Sequence, residues 1–483
     1  MGDRMTALDA AFYHLERAGQ LLHVGGIYTV EGALDYERTL ADLSGKLHLI
    51  PRYTQRVVPV PFNLGHPTWE PARGFDLRLH VVRHVLRPPG DDDQLRNLAS
   101  RLFAEPLDRS RPLWELHQID GYRGDRSAIL AKVHHCMIDG VSGVQLLGVM
   151  FDVTPDPAPT PPAPAQPPAL PLPKPSTQAW RALADGAATT VGGVRALVGL
   201  LGHPAEAWEE VRETLAAAGD LMRLMLAPIP STPFNGFVGT LRRIEWATFA
   251  LNEVKAIKNR LGGTVNDVIL ATISGALRRY LEDRGQNPDR VELRAMCPVN
   301  VRTAAEHLKL GNRVSAMMAP LPVGIFDPLE RLRQVRSAME QLKRSGESER
   351  MTRVLDLLAL LPPIVQRPLG SLQIAAAPVN TICTNVPGPP VSLYVQGKRL
   401  DTLVPIVPLA QGVGLAFAIL SYADRLTIGL TYDPALVQDA PGVCALLQDG
   451  FRELRELARV ERLTIQVVPA GGAAAPTRPV RVA

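Results

Sequence analysis

The hydrophobic pattern divides the chain into two mixed α/β stretches separated by a segment that follows neither the strand nor the helix period. In the first stretch, residues 23–30 (HVGGIYTV) and 128–134 (AILAKVH) read as strands, and residues 35–49 carry apolar positions at helical spacing. In the second stretch, residues 266–279 (NDVILATISGALRR) read as an amphipathic helix and residues 293–299 as a strand. Residues 328–342 read as a helix opened by Pro328, where a missing amide donor costs little. Residues 416–421 and 425–432 alternate like paired strands around a polar turn at Ala423-Asp424.

The break between the stretches begins at residues 154–176, TPDPAPTPPAPAQPPALPLPKPS. Proline fixes φ and removes the amide donor, so this stretch is expected to be a semi-extended linker. Residues 178–226 then show Ala, Leu, Arg and Glu at helical spacing, with Gly186, Gly192 and Gly193 as breaks. The expected organisation is an N-terminal α/β domain (1–153), a Pro-rich linker with a helical crossover (154–234), a second α/β domain (235–470) and a disordered Gly/Ala/Pro/Arg tail (471–483). Two such halves joined by a crossover leave a cleft between them, a common place for a ligand.

Composition narrows the function class. Hydrophobic residues make up 46% and charged residues 21%, a globular balance. A net charge of +4 over 483 residues gives no electrostatic case for nucleic acid, and no nucleic-acid-binding signature is present. The small surplus suits an anionic membrane surface or a phosphate-bearing co-substrate. Cys136, Cys297, Cys383 and Cys444 are far apart, which argues against a zinc site or a disulfide framework and fits a reducing compartment. The N-terminal residues contain no apolar signal region, and no apolar run approaches the ~18 residues of a membrane span. A cytoplasmic protein is expected, with any membrane contact peripheral.

The chemistry concentrates in residues 128–143, AILAKVHHCMIDGVSG. An apolar strand ends at His134-His135, followed by Asp139 and Gly140; a mobile stretch and a helix-like run over residues 144–150 are expected next. Histidine exchanges protons near neutral pH, and a histidine at a strand end is held by the sheet yet open to a cleft. In an extended segment adjacent side chains point to opposite faces, so only one of the pair faces substrate easily. Asp139 could hold the loop through backbone or an arginine, and Gly140 suggests positive φ or a close backbone approach. Three other readings stand beside this one. A metal site would need more ligands than the surrounding sequence offers. A structural histidine pair needs no chemistry at all. Cys136 as a nucleophile would need a depressed thiol pKa.

His134-His135-x-x-x-Asp139-Gly140 resembles the HHxxxDG signature of the coenzyme A-dependent acyltransferase superfamily. Further blocks narrow the likeness. Residues 106–115 look like the PLW block of bacterial wax ester synthase/diacylglycerol acyltransferases, Asn266-Asp267 like their ND block, and residues 384–389 like their NVPGP block. Residues 5–12, 23–26, 51–53 and 80–81, and Gly311-Asn312-Arg313, also resemble this family and run in its order.

The resemblance implies two chloramphenicol acetyltransferase-like domains joined by a long crossover, with a tunnel between them. It implies acyl-CoA as co-substrate with no permanently bound cofactor, and diacylglycerol or a long-chain fatty alcohol as acceptor. A surface association with the inner membrane or lipid inclusions follows from the same likeness. On this reading His135 is the general base, His134 supports it and Asp139 is structural. Gly140, Asn266 and Asp267 are candidates for substrate or oxyanion contact, and Arg302 and Arg313 read equally as coenzyme A phosphate contacts or as solvated charges. Trp114 reads as core, Asp267 also as a helix cap, and residues 385–389 as a turn-rich loop. The competing functions are a related acyltransferase with another acceptor, such as a condensation domain, and a non-catalytic lipid-binding or lipid-droplet protein.

Overall fold

A computed structural model describes residues 3–17, 19–61, 65–138, 140–157, 230–300, 314–346 and 379–466. The Pro-rich linker from residue 158, the crossover helices, Gly311-Asn312-Arg313, Arg302, Asp139 and the tail lie outside the described residues.

Two six-stranded mixed sheets form the frame. The first contains β1 (His23–Val30), β2 (Val81–Val85), β3 (Trp114–Tyr122) and β4 (Arg126–His134). The second contains β5 (Arg243–Ala250), β6 (Leu293–Asn300), β7 (Val314–Leu321), β8 (Thr381–Pro387), β11 (Leu415–Tyr422) and β12 (Arg425–Tyr432). Between β8 and β11 run β9 (Tyr394–Val395) and β10 (Lys398–Ile406), and these join the first sheet, whose order is β9-β10-β1-β4-β3-β2. The second sheet has the order β7-β6-β8-β11-β12-β5.

A division by sequence position therefore does not describe sheet membership. β10 comes from the C-terminal half, yet pairs antiparallel with β1 through partners such as Val404 and Ile27. The sheets meet along β10 and β12, where a Cβ at Gly429 would stand 2.1 Å from the Pro405 carbonyl oxygen. Only glycine permits that approach. A second tie lies between β5 and the helix at Asp92–Ala104: Ser100 Oγ accepts the Ile244 amide at 3.0 Å, and Arg96 pairs with Glu245 at 2.8 Å. Ile27, Leu95, Ile119, Leu130, Ile244 and Val404 share one apolar core, so both halves of the chain build it.

Eight α-helices of the described residues follow in chain order: α1 (Ala7–Leu15), α2 (Tyr36–Lys46), α3 (Asp92–Ala104), α4 (Gly140–Met150), α5 (Leu251–Leu261), α6 (Val265–Glu282), α7 (Pro328–Arg344) and α8 (Ala440–Gln466). Their starts follow local chemistry. Thr6 caps α1, Asp35 caps α2, and Asp327 caps α7 with Pro328 behind it, each cap accepting a first-turn amide. α4 departs from expectation: it opens at Gly140, so helix replaces the mobile stretch read from the sequence. No described helix is long and apolar enough to cross a membrane.

Candidate active site

His134 ends β4, directly opposite His23 on β1. Its amide donates to Leu113 O at 2.9 Å, and the His135 amide donates to Leu22 O at 2.8 Å. The PLW block and the turn before β1 thus anchor the two histidines from either side. The chain then makes one 3-10 turn, His135–Met137, capped by the His134 ring: Nδ1 accepts the Cys136 amide at 3.1 Å. This turn reverses the chain quickly enough to send the two rings apart. His134 is fully buried, whereas His135 is partly open. The His135 ring stacks on Phe12 of α1, centroids 4.1 Å apart and planes 16° apart. The block at residues 5–12 is therefore the helix that braces the outer histidine.

Trp114 is 2% exposed, and its Nε1 donates to Tyr53 O at 2.8 Å. Its ring stacks on His80 at 4.6 Å, and His80 Nδ1 donates to Trp114 O at 2.8 Å. The blocks at residues 51–53, 80–81 and 106–115 are one aromatic stack beneath the histidine strand. Cys136 is buried, and burial pushes its thiol up, with Asp9 and Glu16 adding to the effect. A thiolate is disfavoured there, which removes the nucleophile reading.

The other candidates separate. Asp267 is 3% exposed and closes a capping box with Thr264: Thr264 N donates to Asp267 Oδ2 at 2.7 Å, and Asp267 N donates to Thr264 Oγ1 at 3.2 Å. Asp267 therefore serves as a helix cap, and a carboxylate brings no donor for an oxyanion. Asn266, beside it, accepts a hydrogen bond from Asn385 Nδ2 at 3.1 Å, which turns its own Nδ2 donor away from Asn385. Asn385 lies on β8, the strand against which α4 packs, so the ND and NVPGP blocks meet on the strand that carries the helix after the histidines. Gly388 of the NVPGP block lies where a Cβ would be 2.1 Å from Ser421 O, which gives that glycine a packing reason.

The sequence reading gave no role to Glu16. Its carboxylate lies just past α1, with Oε2 3.2 Å from His134 Nε2 and 3.3 Å from His23 Nε2. Oε1 lies 3.2 Å from Arg109 Nη2. Burial pushes Glu16 up, but close contact with His134 and His23 more than offsets that and holds it well below the usual carboxylate range. A further buried set continues behind β4. Lys132 Nζ donates to Leu102 O at 2.9 Å and to Glu115 Oε2 at 3.1 Å, Glu115 lies 3.3 Å from His117, and His117 meets His84 at 3.1 Å. No sequence signal marks Glu16, because the register that sets His23 opposite His134 exists only in the folded sheet.

Comparison with known proteins decides the family. A wax ester synthase/diacylglycerol acyltransferase catalytic domain matches residues 5–269, and the C-terminal domain of the same family matches residues 310–455. The chain belongs to the wax ester synthase/diacylglycerol acyltransferase family. It is 33% identical to the Mycobacterium tuberculosis protein named probable diacylglycerol O-acyltransferase tgs1, over 96% of this chain and 98% of that one. The wax ester synthase/diacylglycerol acyltransferase of Marinobacter aquaeolei VT8 superposes with a TM-score of 0.67 at 24% identity, covering 95% of this chain and all of the other. The first condensation domain of the calcium-dependent antibiotic synthetase follows at TM-score 0.61 and 16% identity, over 95% and 97% of the two chains. These two likenesses establish the fold, that of two chloramphenicol acetyltransferase-like domains.

Proposed function

We propose that this member of the family moves a long-chain acyl group from acyl-CoA to the hydroxyl of diacylglycerol or of a fatty alcohol, with His135 as general base. The observation that carries the reading is the placement of the pair: His134 is locked inside the sheet while His135 stands at the strand end, partly open and braced on Phe12.

The acceptor oxygen attacks the thioester carbonyl carbon as His135 takes its proton. The tetrahedral oxyanion collapses, the C–S bond breaks, and the imidazolium returns the proton to the coenzyme A thiolate. No acyl-enzyme is needed, and the buried Cys136 offers none. Base catalysis of this kind contributes about 10²–10⁴-fold. The oxyanion requires donors aimed at it. The amide-rich start of α4 at Gly140 and the Nδ2 of Asn266 are the two groups we assign to it. The names of the relatives favour diacylglycerol as acceptor. Phe237 and Leu241, 82% and 65% exposed, flank a loop tied to Gly19 through Arg242 Nη2, and such side chains suit peripheral contact with a membrane face or lipid inclusion.

The test is thiol release from palmitoyl-CoA with dioleoylglycerol, hexadecanol or no acceptor, with the neutral lipid product identified. Release that depends on one acceptor and yields the matching ester supports the reading and names the acceptor. Absence of acceptor-dependent release with both alcohols refutes it and leaves lipid binding without turnover.

A further inference from the structure

The Glu16 side chain is 6% exposed, and every polar atom it offers is engaged around the histidine pair. Oε2 accepts the Leu22 amide at 3.1 Å, and the carbonyl of the same Leu22 accepts the His135 amide at 2.8 Å. Oε2 also lies between the Nε2 atoms of His134 and His23, two rings with no exposed side-chain surface, 6.2 Å apart by centroid. Both contacts are short but poorly aligned with the ring N–H directions, so they are close polar contacts and not full hydrogen bonds. Arg109 closes the carboxylate from the other side while its Nη2 also donates to Tyr13 O at 3.0 Å.

The tautomer of His134 follows from its partners. Nδ1 accepts an amide N–H from Cys136, so it carries a lone pair and no proton. The ring proton is then on Nε2, the ring nitrogen 3.2 Å from Glu16 Oε2. A neutral His134 in this form can neither exchange roles with His135 nor turn, because rotating the ring would give up both the Cys136 amide and the carboxylate. A buried carboxylate facing two imidazoles is costly unless paired. Its contacts with Arg109, His23, His134 and Leu22 are the pairing.

We propose that Glu16, together with His23, is a positioning device for the catalytic histidine: a shared buried carboxylate that, with the Cys136 amide on Nδ1, holds the His134 ring in place and, through Leu22, fixes the backbone position of His135. Glu16 touches no substrate and acts through its neighbours. The proposal rests on His135 as base, so the experiment reads the two separately.

The full chain, labelled with ¹⁵N-histidine, is compared as wild type, Glu16→Gln, His23→Gln and His135→Ala. His134 resonances are assigned by difference from His134→Gln. The Glu16→Gln change keeps the side-chain volume and removes the charge. We expect kcat of this variant to fall about 10- to 100-fold, the scale on which outer partners of a working histidine act. KM for acyl-CoA should stay within about twofold, because no substrate contact is lost. The His134 ring signals should move in Glu16→Gln, where the ring loses its carboxylate neighbour, and keep their wild-type positions in His135→Ala. A wild-type kcat in Glu16→Gln, or His134 ring signals that stay at their wild-type positions, overturns the proposal. A His135→Ala protein at full turnover with the His134 signals still Glu16-dependent would remove the base assignment and overturn the catalytic purpose of the clamp. If Glu16→Gln does not fold, His23→Gln reads the same clamp from its other side: a smaller kcat loss with a perturbed His134 signal supports it, and neither change overturns it.

Discussion

The two sheets bury very different chemistry. Behind β4, the first sheet encloses Glu16, His23, His134, Lys132, Glu115 and His117, joined to one another and to backbone carbonyls. Around α6, the second encloses Val268, Ile269, Leu270, Ile273, Ala276 and Leu277, all at most 3% exposed. Two of its polar members satisfy themselves locally: Thr272 and Ser274 donate to the carbonyls of Val268 and Leu270, four residues back, while Arg331, 3% exposed, donates to Ile325 O and lies 3.6 Å from Glu453. Ionised groups are expensive to bury, and an apolar core of the same volume would be at least as stable. The first sheet retains them where a histidine must be held in one tautomer at a strand end. Variants should therefore separate: changes behind β4 alter turnover and acid sensitivity, and changes around α6 alter stability alone.

The largest effect expected is His135→Ala. Turnover should drop about 10²–10⁴-fold, equivalent to about 2.7–5.4 kcal/mol, with an unchanged melting temperature. Steady-state kinetics beside thermal unfolding checks this, and a matching loss of stability would mean that the residue is structural. On the other side, Leu277→Ala removes a side chain with no exposed surface from α6. It should cost about 2–5 kcal/mol in denaturant unfolding while the folded fraction keeps wild-type turnover. A selective kcat loss in that variant would erase the contrast.

Much of the frame was legible because its signals are local. The strand at residues 23–30, the capped helix at residues 36–46, the Pro-led helix from residue 328 and the hairpin around Ala423 each follow from pattern and turn chemistry within a few residues. The donation of β10 to the first sheet was not legible. Residues 398–406 pair with a strand more than three hundred residues away, and nothing in their own pattern names that partner. The same limit hid Glu16. A lone acid after a helix carries no mark of a histidine more than a hundred residues on, since only the antiparallel pairing of β1 and β4 brings them together. Asp267 shows the reverse: the sequence offered both a cap and a substrate contact, and the fold uses it as the cap.

The seam between the sheets offers a third test. Gly429→Ala puts a Cβ 2.1 Å from Pro405 O, on the line where β10 crosses β12. Relief requires backbone movement, so we expect a loss of about 1–3 kcal/mol. Because β10 belongs to the histidine sheet, turnover should fall with it, unlike in Leu277→Ala. Stability lost with turnover kept would mean that the seam does not transmit to β4.

The smallest effect is the pH dependence of the ionised face. Burial pushes Glu115 up, but His117 and Lys132 outweigh it and bring its pKa down to about 2, from 4.5. A carboxyl depressed in the folded state binds fewer protons there than when unfolded. Its contribution is therefore fully present above about pH 4.5 and is lost as pH falls toward about 2. Its side chain is 26% exposed, so solvent screening reduces the effect, and we expect about 1 kcal/mol. Urea unfolding across that window should show wild-type stability falling more steeply than that of Glu115→Gln, which has no carboxyl to protonate at this position. Both proteins retain Glu16, also held low by its histidines, so the variant should still lose stability in acid and only part of the slope should vanish. Equal slopes would show that Lys132 and His117 do not hold Glu115 in its charged form, and the ionised character of this face would then rest on the Glu16 cluster alone.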